Sequence, residues 1–400
     1  MGALVLGAIV GTLWGEGATS IDWIGAIFLR LIRMIVVPLV FITLVSGVIA
    51  MGDPKKLGSL GIKTIVAYLG TTVFAVTIGL TLAATFEPGM GMSFGGITAK
   101  DVSHSVALED RLLAIIPLNP MLALVEANML AIIFFALLFG AGALIVGKKA
   151  KPIADIFEAG TEVMLKITHM VMEVAPFGVF ALIAGVVGTG GVSKLVDVLP
   201  LVGTFVLGCI LHVVIVHTTI IKFILKLPLG RFFQGITGAQ LVAFSTSSSS
   251  GTLPVTMTVA EENLGIKKPV AASVLPLGAT INMDGTAIYV GVLAVFSAQA
   301  MGISIDFADY LLLALATTIA SIGTAAVPSA SLFLLAGVTS VFGIDAAQTA
   351  IIVGFVFPFD RPLDMLRTVV NVTGDLSVST LVAKWEGEFD EETFRAKSVD

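Results

Sequence analysis

The chain has 400 residues, of which 56% are hydrophobic and only 12% are charged, against about 25% charged residues in a soluble domain. This composition predicts a protein that crosses a membrane several times, with the lipid bilayer as its surroundings. The net charge of -6 comes without a basic patch, which excludes nucleic-acid binding, and the single Cys209 excludes a disulfide framework or a cysteine-ligated metal cluster.

Long apolar stretches and basic loops alternate along the chain. About 20 apolar residues cross the hydrocarbon core, and the candidate stretches lie near 2–14, 24–51, 64–86, 121–146, 160–190, 197–225, 270–299 and 346–383. Lysine-containing loops follow the second, fourth and sixth stretches, so the positive-inside rule places these loops and the N-terminus in the cytoplasm. Segment 87–117, which is rich in glycine and polar residues, is predicted to be an extracellular loop.

Segment 231–266 conflicts with this alternation, because Lys267 and Lys268 after it also belong inside. The polar residues 245–252 and Pro254 divide it into arms of about a dozen residues, too short to span the membrane. Irregular backbone at membrane depth is tolerated only where protein buries it or water reaches it. The segment is therefore predicted to form a re-entrant hairpin that enters and leaves from the cytoplasm.

A second broken segment, 308–342, is interrupted at 321–328. A hairpin that dips from the outside keeps the C-terminus in the cytoplasm. The two tips also resemble each other, with Ser-Ser-Gly-Thr-Leu-Pro at 249–254 and Ser-Ile-Gly-Thr-Ala-Ala-Val-Pro at 321–328. Paired broken segments are typical of inverted-repeat transporters whose binding site lies where the tips meet.

The seventh span carries Asn-Met-Asp-Gly-Thr at 282–286, and Asn, Asp and Gly tolerate non-helical backbone. We therefore predict that the helix unwinds there and exposes carbonyl oxygens to a hard cation such as Na⁺. Asp284 adds formal charge to those oxygens.

The last span carries a polar stripe. At about 100° per residue its members share one face about 100° wide: Asp364, Arg367, Thr368, Asn371 and Asp375. The planar fork of Arg367 suits a carboxylate bidentately, and Asp364 offers a partner for an ammonium group. These two complementary charges indicate an acidic amino acid as the solute.

Four motifs in this order resemble the dicarboxylate/amino acid:cation symporters, the glutamate/aspartate transporter family, over essentially the whole chain. They are Ser-Ser-Ser-Gly-Thr-Leu-Pro (248–254), Asn-Met-Asp-Gly-Thr (282–286), Ser-Ile-Gly-Thr-Ala (321–325) and Asp-Met-Leu-Arg-Thr-Val-Val-Asn-Val-Thr-Gly-Asp (364–375). The resemblance is strongest to prokaryotic sodium-coupled members. It implies an all-α protein of the cell (inner or plasma) membrane, with eight transmembrane helices plus two re-entrant hairpins, inverted repeats and a homotrimer. It also implies import of L-aspartate or L-glutamate by an elevator mechanism of alternating access.

The resemblance also implies a division into a fixed scaffold and a moving transport domain. The expected parts are scaffold helices 1–63, transport-domain helix 64–86, extracellular loop 87–117, scaffold helices 118–192, transport-domain helix 193–230, hairpin 231–266, broken helix 267–300, hairpin 308–342, last helix 345–384 and acidic cytoplasmic tail 385–400. The tail is expected to be a solvated end.

Site residues follow from the resemblance, position by position. The implied substrate contacts are Ser247, Ser249, Thr286, Val327, Asp364, Arg367, Thr368 and Asn371. One implied sodium site uses Asp375 with backbone oxygens of Asn282 and Asn371, and Met283, between Asn282 and Asp284, is a further candidate. A second uses backbone oxygens of Thr280, Ser321, Ile322 and Thr324. A third uses Tyr68, Thr71 and Thr72 with Asn282 and Asp284.

Departures from the family pattern bear on the coupling ion. Val290 stands where animal members carry the glutamate that couples protons and potassium, which argues against that coupling. Proton-coupled bacterial relatives tend to carry asparagine where this chain has Asp375, so Asp375 favours sodium. Archaeal and animal members carry an arginine at the positions of Ser247 and Met365, and we hypothesise that Arg361 supplies this charge.

Three alternatives remain. A C4-dicarboxylate symporter coupled to Na⁺ or H⁺ would not need Asp364, and that branch carries serine there. An intramembrane aspartyl protease would pair Asp284 with Asp375 around one proton, but it leaves Arg367 and both hairpins without a role. A channel is the third. The sequence favours a transporter, and His212 and His217 are interpreted as packing or interface residues.

Overall fold

The computed structural model describes residues 2–50, 54–92, 113, 115–322, 324, 329–344 and 346–396. Its regular structure is helical, apart from one isolated β-bridge between Ile266 and Phe389. The helices are α1 Gly2–Trp14, α2 Asp22–Ala50, α3 Pro54–Phe86, α4 Pro120–Val125, α5 Met129–Val146, α6 Lys151–Gly190, α7 Ser193–Val196, α8 Leu199–His212, α9 Leu229–Thr246, α10 Ser249–Glu262, α11 Lys268–Ile281, α12 Asp284–Ala300, α13 Phe307–Ile322, α14 Ala330–Thr339, α15 Ala346–Glu386 and α16 Glu391–Arg395. Most of the predicted loop 87–117 lies outside the described residues.

Several helical stretches are long and apolar enough to cross a bilayer. Among the described residues they are Gly2–Ile49, Leu60–Phe86, Ala131–Gly190, Leu199–Ile224 and Lys268–Ala300. The first and third contain 48 and 60 residues, each enough for two crossings at about 20 residues per crossing. This pattern is that of a multi-pass membrane protein, and the number of eight spans stays a prediction.

The N-terminal helices form one packing group. Helices α1 and α2 both pack along α6, and α5 packs against α2. Large apolar side chains point outward from this group, among them Leu13 at 82% and Ile145 at 86% exposure. In a bilayer these side chains face lipid, which is as apolar as they are.

The two predicted hairpins form pairs of packed helices. Helix α9 packs against α10, and α13 packs against α14. Both pairs contact α15, and the second also contacts α12. Ser247 at the first tip has φ +53° and Ser329 at the second has φ +60°, a region that non-glycine residues uncommonly adopt. Matching strained serines therefore mark both tips.

The broken seventh span is interrupted over two residues only. Helix α11 ends at Ile281 and α12 begins at Asp284, so Asn282 and Met283 alone are non-helical. The rest of the predicted break, 284–286, forms the first turn of α12. Every residue of α12 except Gln299 is buried, so this helix occupies the centre of the molecule between α3 and α15.

The sequence predicts a solvated C-terminal tail, and this prediction is wrong for the described part of the tail, which packs against the protein. The backbone N–H of Asp390 donates to the Gly265 carbonyl at 2.7 Å, and Lys267 pairs with Glu388 at 3.1 Å. Phe394 is fully buried in an apolar cluster with residues of α9 and α11. Hydrogen bonds from Thr393 and Glu392 hold the pKa of the Asp390 carboxyl below its usual value. These contacts hold the acidic residues of the tail in place, and the net charge of the tail alone does not predict them.

Candidate functional site

A small cavity lies between the described parts of the hairpin tips, the break and α15. Its lining residues are Ser247, Ser249, Met283, Thr286, Thr324, Ala330, Ser331, Asp364, Arg367, Thr368 and Asn371. Seven of the eight predicted substrate residues are in this set, and the eighth, Val327, lies outside the described residues. The space between these residues, including the part that is open to solvent, is about 240 Å³.

A buried ion pair dominates one wall of the cavity. Asp364 and Arg367 are each only 2% exposed. Arg367 Nε donates to Asp364 Oδ1 at 2.7 Å, and Nη2 lies 2.6 Å from the same oxygen. Asp364 Oδ2 accepts the backbone N–H of Ser329 at 2.8 Å. The carboxylate thus connects the guanidinium of α15 to the second hairpin tip.

Two further residues hold the guanidinium, and the sequence analysis did not single them out. Arg367 Nη1 lies 3.4 Å from Oδ1 of the buried Asp360. The guanidinium carbon lies 4.8 Å from the ring centroid of Tyr289, in the range of a cation–π interaction. Asp360 precedes Asp364 and Arg367 by four and seven residues, so helical spacing was the signal that could have found it.

Two hydroxyls of the cavity wall, Ser247 Oγ and Ser331 Oγ, are buried and have no hydrogen-bond partner among the residues that the structure describes. Buried polar groups in proteins are nearly always hydrogen-bonded. The wall therefore fits a solute that supplies hydrogen-bonding oxygens and N–H groups.

Hydrogen bonds tie the break to α15. Asn282 Nδ2 donates to the Asn371 carbonyl and to Asp375 Oδ1, both at 3.0 Å. Asn371 Oδ1 accepts the N–H of Gly285 at 2.8 Å, and its Nδ2 lies 3.2 Å from Met283 Sδ. The first predicted sodium set is thereby brought together, with Asn371 facing the cavity as well.

A glycine permits this close approach of α12 and α15. A Cβ on Gly285 would overlap the carbonyl group of Arg367. Only glycine lacks that atom, so the start of α12 can lie directly against the backbone that presents the guanidinium.

The third predicted sodium set also converges. Thr72 Oγ1 donates to Asp284 Oδ1 at 2.8 Å, and Thr71 Oγ1 lies 3.3 Å from Asn282 Oδ1. Tyr68 is fully buried beside them, and its hydroxyl donates to the Val274 carbonyl at 3.2 Å. Hydroxyl, amide and carboxylate oxygens are ligands that hard cations prefer.

The second predicted sodium set is less closely assembled. Helices α11 and α13, which carry it, are in contact. The Thr280 hydroxyl donates to the Leu277 carbonyl of its own helix at 3.0 Å. Thr324 lines the cavity, and its hydroxyl donates to the Ala320 carbonyl at 3.3 Å. The structure therefore brings together the helices of this set, and the site itself stays a prediction.

The structure adds to two other sequence-based interpretations. Arg361 has an exposed side chain and is not among the described residues that line the cavity, and the hypothesis that it supplies charge to a solute stays a prediction. His212, interpreted from the sequence as a packing or interface residue, lies 3.0 Å from Asp284 Oδ2 through its Nε2.

Comparisons with known proteins find relatives over nearly the whole chain. Residues 1–385 match the profile of the sodium:dicarboxylate symporter family. The chain is 37% identical over 399 residues to the proton/sodium-glutamate symport protein of Bacillus subtilis (strain 168), an alignment that covers 97% of this chain and 92% of that protein. It is 35% identical over 408 residues to the proton/glutamate-aspartate symporter of Escherichia coli (strain K12), covering 97% and 92%. A C4-dicarboxylate transport protein of Paracoccus denitrificans (strain Pd 1222) is 32% identical over 401 residues, covering 98% and 87%.

Proposed function

The chain belongs to the sodium:dicarboxylate symporter family, and on that premise we propose that it imports L-aspartate or L-glutamate together with Na⁺ across the plasma membrane. It is a symporter and not an enzyme, which removes the intramembrane protease from consideration. The aspects that go further than symport, namely the solute, the ion and the route, are argued below.

The Asp364–Arg367 ion pair carries the proposal for the solute. Separating a buried pair leaves two uncompensated charges, and removing one partner of such a pair costs about 3–5 kcal/mol. An acidic amino acid replaces both partners at once, because its side-chain carboxylate takes Arg367 and its ammonium takes Asp364. The unpartnered hydroxyls of Ser247 and Ser331 would then receive the remaining carboxylate.

A C4-dicarboxylate is the second candidate solute, favoured by relatives that carry that name at 32% identity. A dicarboxylate carries two negative charges and has no positive charge that could compensate Asp364. The carboxylate of Asp364 would therefore repel it, an instance of specificity by an unfavourable charge. The described cavity favours the amino acid.

Sodium coupling is proposed from the oxygen-rich clusters around Asp375 and Asp284. Cation binding there would order Asn282 and Asn371, and Asn371 belongs to the cavity wall. Because each ligand then favours the arrangement that the other needs, their binding free energies are coupled reciprocally. Several relatives are named proton/sodium symporters, so the proton is the second candidate ion.

We further propose that the movement is an elevator motion within a homotrimer. Helices α3 and α8–α15 would form the transport domain, and α1, α2, α5 and α6 the scaffold. The second hairpin would close over the solute, supported by the contact of its tip with Asp364 through the Ser329 N–H. The N- and C-termini would lie in the cytoplasm.

Uptake into proteoliposomes tests the solute and the ion together. Labelled L-aspartate is supplied under an imposed sodium gradient or an imposed proton gradient, with unlabelled glutamate, succinate or serine as competitor. We expect uptake with sodium alone, competition by glutamate and none by succinate. Liposomes without protein and a potassium gradient are the controls. Equal competition by succinate would contradict the proposed solute, and uptake driven by protons without sodium would contradict the proposed ion.

A further inference from the structure

Two buried histidines lie behind the Asp284 carboxylate. His212 and His217 are both 0% exposed. Their rings meet edge to face, with centroids 4.9 Å apart and an interplanar angle of 88°. His212 Nε2 lies 3.0 Å from Asp284 Oδ2, and His217 Nδ1 lies 2.8 Å from Ser377 Oγ. The pair therefore joins the end of α8 to the start of α12 and to α15.

A change of helix type brings the two rings together. Helix α8 ends at His212, and Val213–His217 is π-helical. Residues five apart lie about 140° apart around an α-helix at 100° per residue, but a π-helix pairs residue i with residue i+5. The π-helical turn thus places His217 on the same side as His212. Single π-helical turns occur frequently at functional sites.

His212 contacts the second oxygen of the Asp284 carboxylate, and Thr72 contacts the first. Thr72 Oγ1 donates to Asp284 Oδ1 at 2.8 Å, and His212 Nε2–H is the donor that faces Oδ2. An ionised carboxylate has about four lone-pair positions, so these two donors leave room for a cation. They also prevent the carboxylate from rotating. His217 packs against His212 and is itself anchored to Ser377, two residues after Asp375.

We propose that His212 is a positioning residue, which orients the Asp284 carboxylate and so sets the sodium concentration at which transport is half-maximal. This inference rests on the proposed function, because it assigns Asp284 to a cation site. His212 is not among the described residues that line the solute cavity. It acts on the cation through Asp284, and His217 restrains its ring.

A pair of amide variants provides a sharp test. His212→Gln places its amide N–H near the position of Nε2, whereas the shorter His212→Asn places it near Nδ1 and cannot reach Asp284. Loss of a residue that orients a metal ligand typically costs about 10–100-fold in metal affinity. We expect His212→Asn to raise the half-saturating sodium concentration about tenfold or more, and His212→Gln to stay within about threefold of the wild type. The aspartate KM at saturating sodium should stay unchanged in both.

Two measurements are made on each purified full-length variant. The first is aspartate uptake against sodium concentration in proteoliposomes, and the second is the rise of the melting temperature with sodium in detergent, which does not depend on transport. His169→Gln is the matched control, because His169 is exposed on α6 and pairs only with Glu173 on the same helix in the described contacts.

The outcomes separate this inference from its premise. If the wild type responds to sodium in neither measurement, the proposed ion coupling fails, and this inference fails with it. If the wild type responds but His212→Asn keeps its half-saturating sodium concentration, only the role of His212 is overturned. An increase of the aspartate KM without a change in sodium dependence would likewise overturn it. If His212→Asn does not fold, His212→Leu takes its place. The proposal then predicts a raised half-saturating sodium concentration in His212→Leu and a retained sodium response in His212→Gln, and a wild-type value in His212→Leu would overturn it.

Discussion

In the proposed function, solute selectivity at the scale of single residues is assigned to Asp364 and Arg367, which contact each other on the cavity wall. Asp360 and Tyr289 hold the guanidinium from behind, so its orientation is fixed before a solute arrives. Preorganisation of this kind lowers the cost of binding.

Replacing Arg367 by cysteine should remove acidic solutes from the substrate range. Each hydrogen bond to a charged group is worth about 1.5–3 kcal/mol, so loss of a bidentate contact should raise the aspartate KM by about a hundredfold or more. Uptake of a neutral amino acid such as serine should remain possible. Competition assays with the Arg367→Cys variant measure both effects, and wild-type aspartate affinity in that variant would refute the assignment.

Arg361 offers a matched comparison on the same helix. The sequence-based hypothesis that Arg361 supplies charge to the solute predicts a raised aspartate KM for Arg361→Ala. The exposed position of its side chain, outside the cavity lining, predicts an unchanged KM instead. Uptake kinetics of this variant decide between the two.

Replacing Asp364 by serine should shift the preference from aspartate towards C4-dicarboxylates. The variant loses the partner of the ammonium group and the negative charge that repels a second carboxylate. Inhibition of uptake by succinate should therefore become stronger in the variant, and inhibition of uptake by aspartate should become weaker. A parallel loss of both would indicate that Asp364 serves only to hold Arg367.

At the scale of elements, the contact between α12 and α15 sets the geometry of both the cavity and the break. Gly285→Ala inserts a methyl group where the Arg367 carbonyl lies, and overpacking typically costs about 1–3 kcal/mol. We expect a lower melting temperature together with weaker aspartate and sodium binding. Gly203→Ala on α8 is the control, since a Cβ at Gly203 meets nothing within 4 Å. Equal behaviour of the two variants would contradict the close contact.

The docked tail is the second element-level feature. Phe394 is fully buried, and Phe→Ala in a core costs about 3–5 kcal/mol. Phe394→Ala should therefore lower the melting temperature clearly. Arg395→Ala removes only an exposed pair with Glu391, for which about 0–1 kcal/mol is expected. If both variants melt like the wild type, the tail does not pack as the structure describes.

At the scale of the whole molecule, the sequence predicted most of the path of the chain because its polar interruptions are conspicuous in an apolar chain. The conflict at Lys267 and Lys268 indicated the first hairpin, and helical spacing placed Asp364, Arg367 and Asn371 on one face. The family was identified correctly from its motifs. These signals are local in sequence, and this is why they could be read.

Other features could not be read in this way. The histidine pair depends on a π-helical turn, and α-helical spacing would have placed His212 and His217 on different faces. Phe394 is buried by residues that are distant in the sequence, and the acidic composition of the tail does not indicate this contact. Asp360 had the correct spacing but belongs to no motif that the resemblance emphasised. Val327 lies outside the described residues, so its assignment stays a prediction.

The most direct test of the central claim measures the ion instead of the amino acid. Coupling is reciprocal, so an inward aspartate gradient should drive labelled Na⁺ into proteoliposomes above its external concentration. Sodium-coupled symport predicts this accumulation for the wild type and its loss in Arg367→Cys. Aspartate entry without any sodium accumulation would contradict coupled transport.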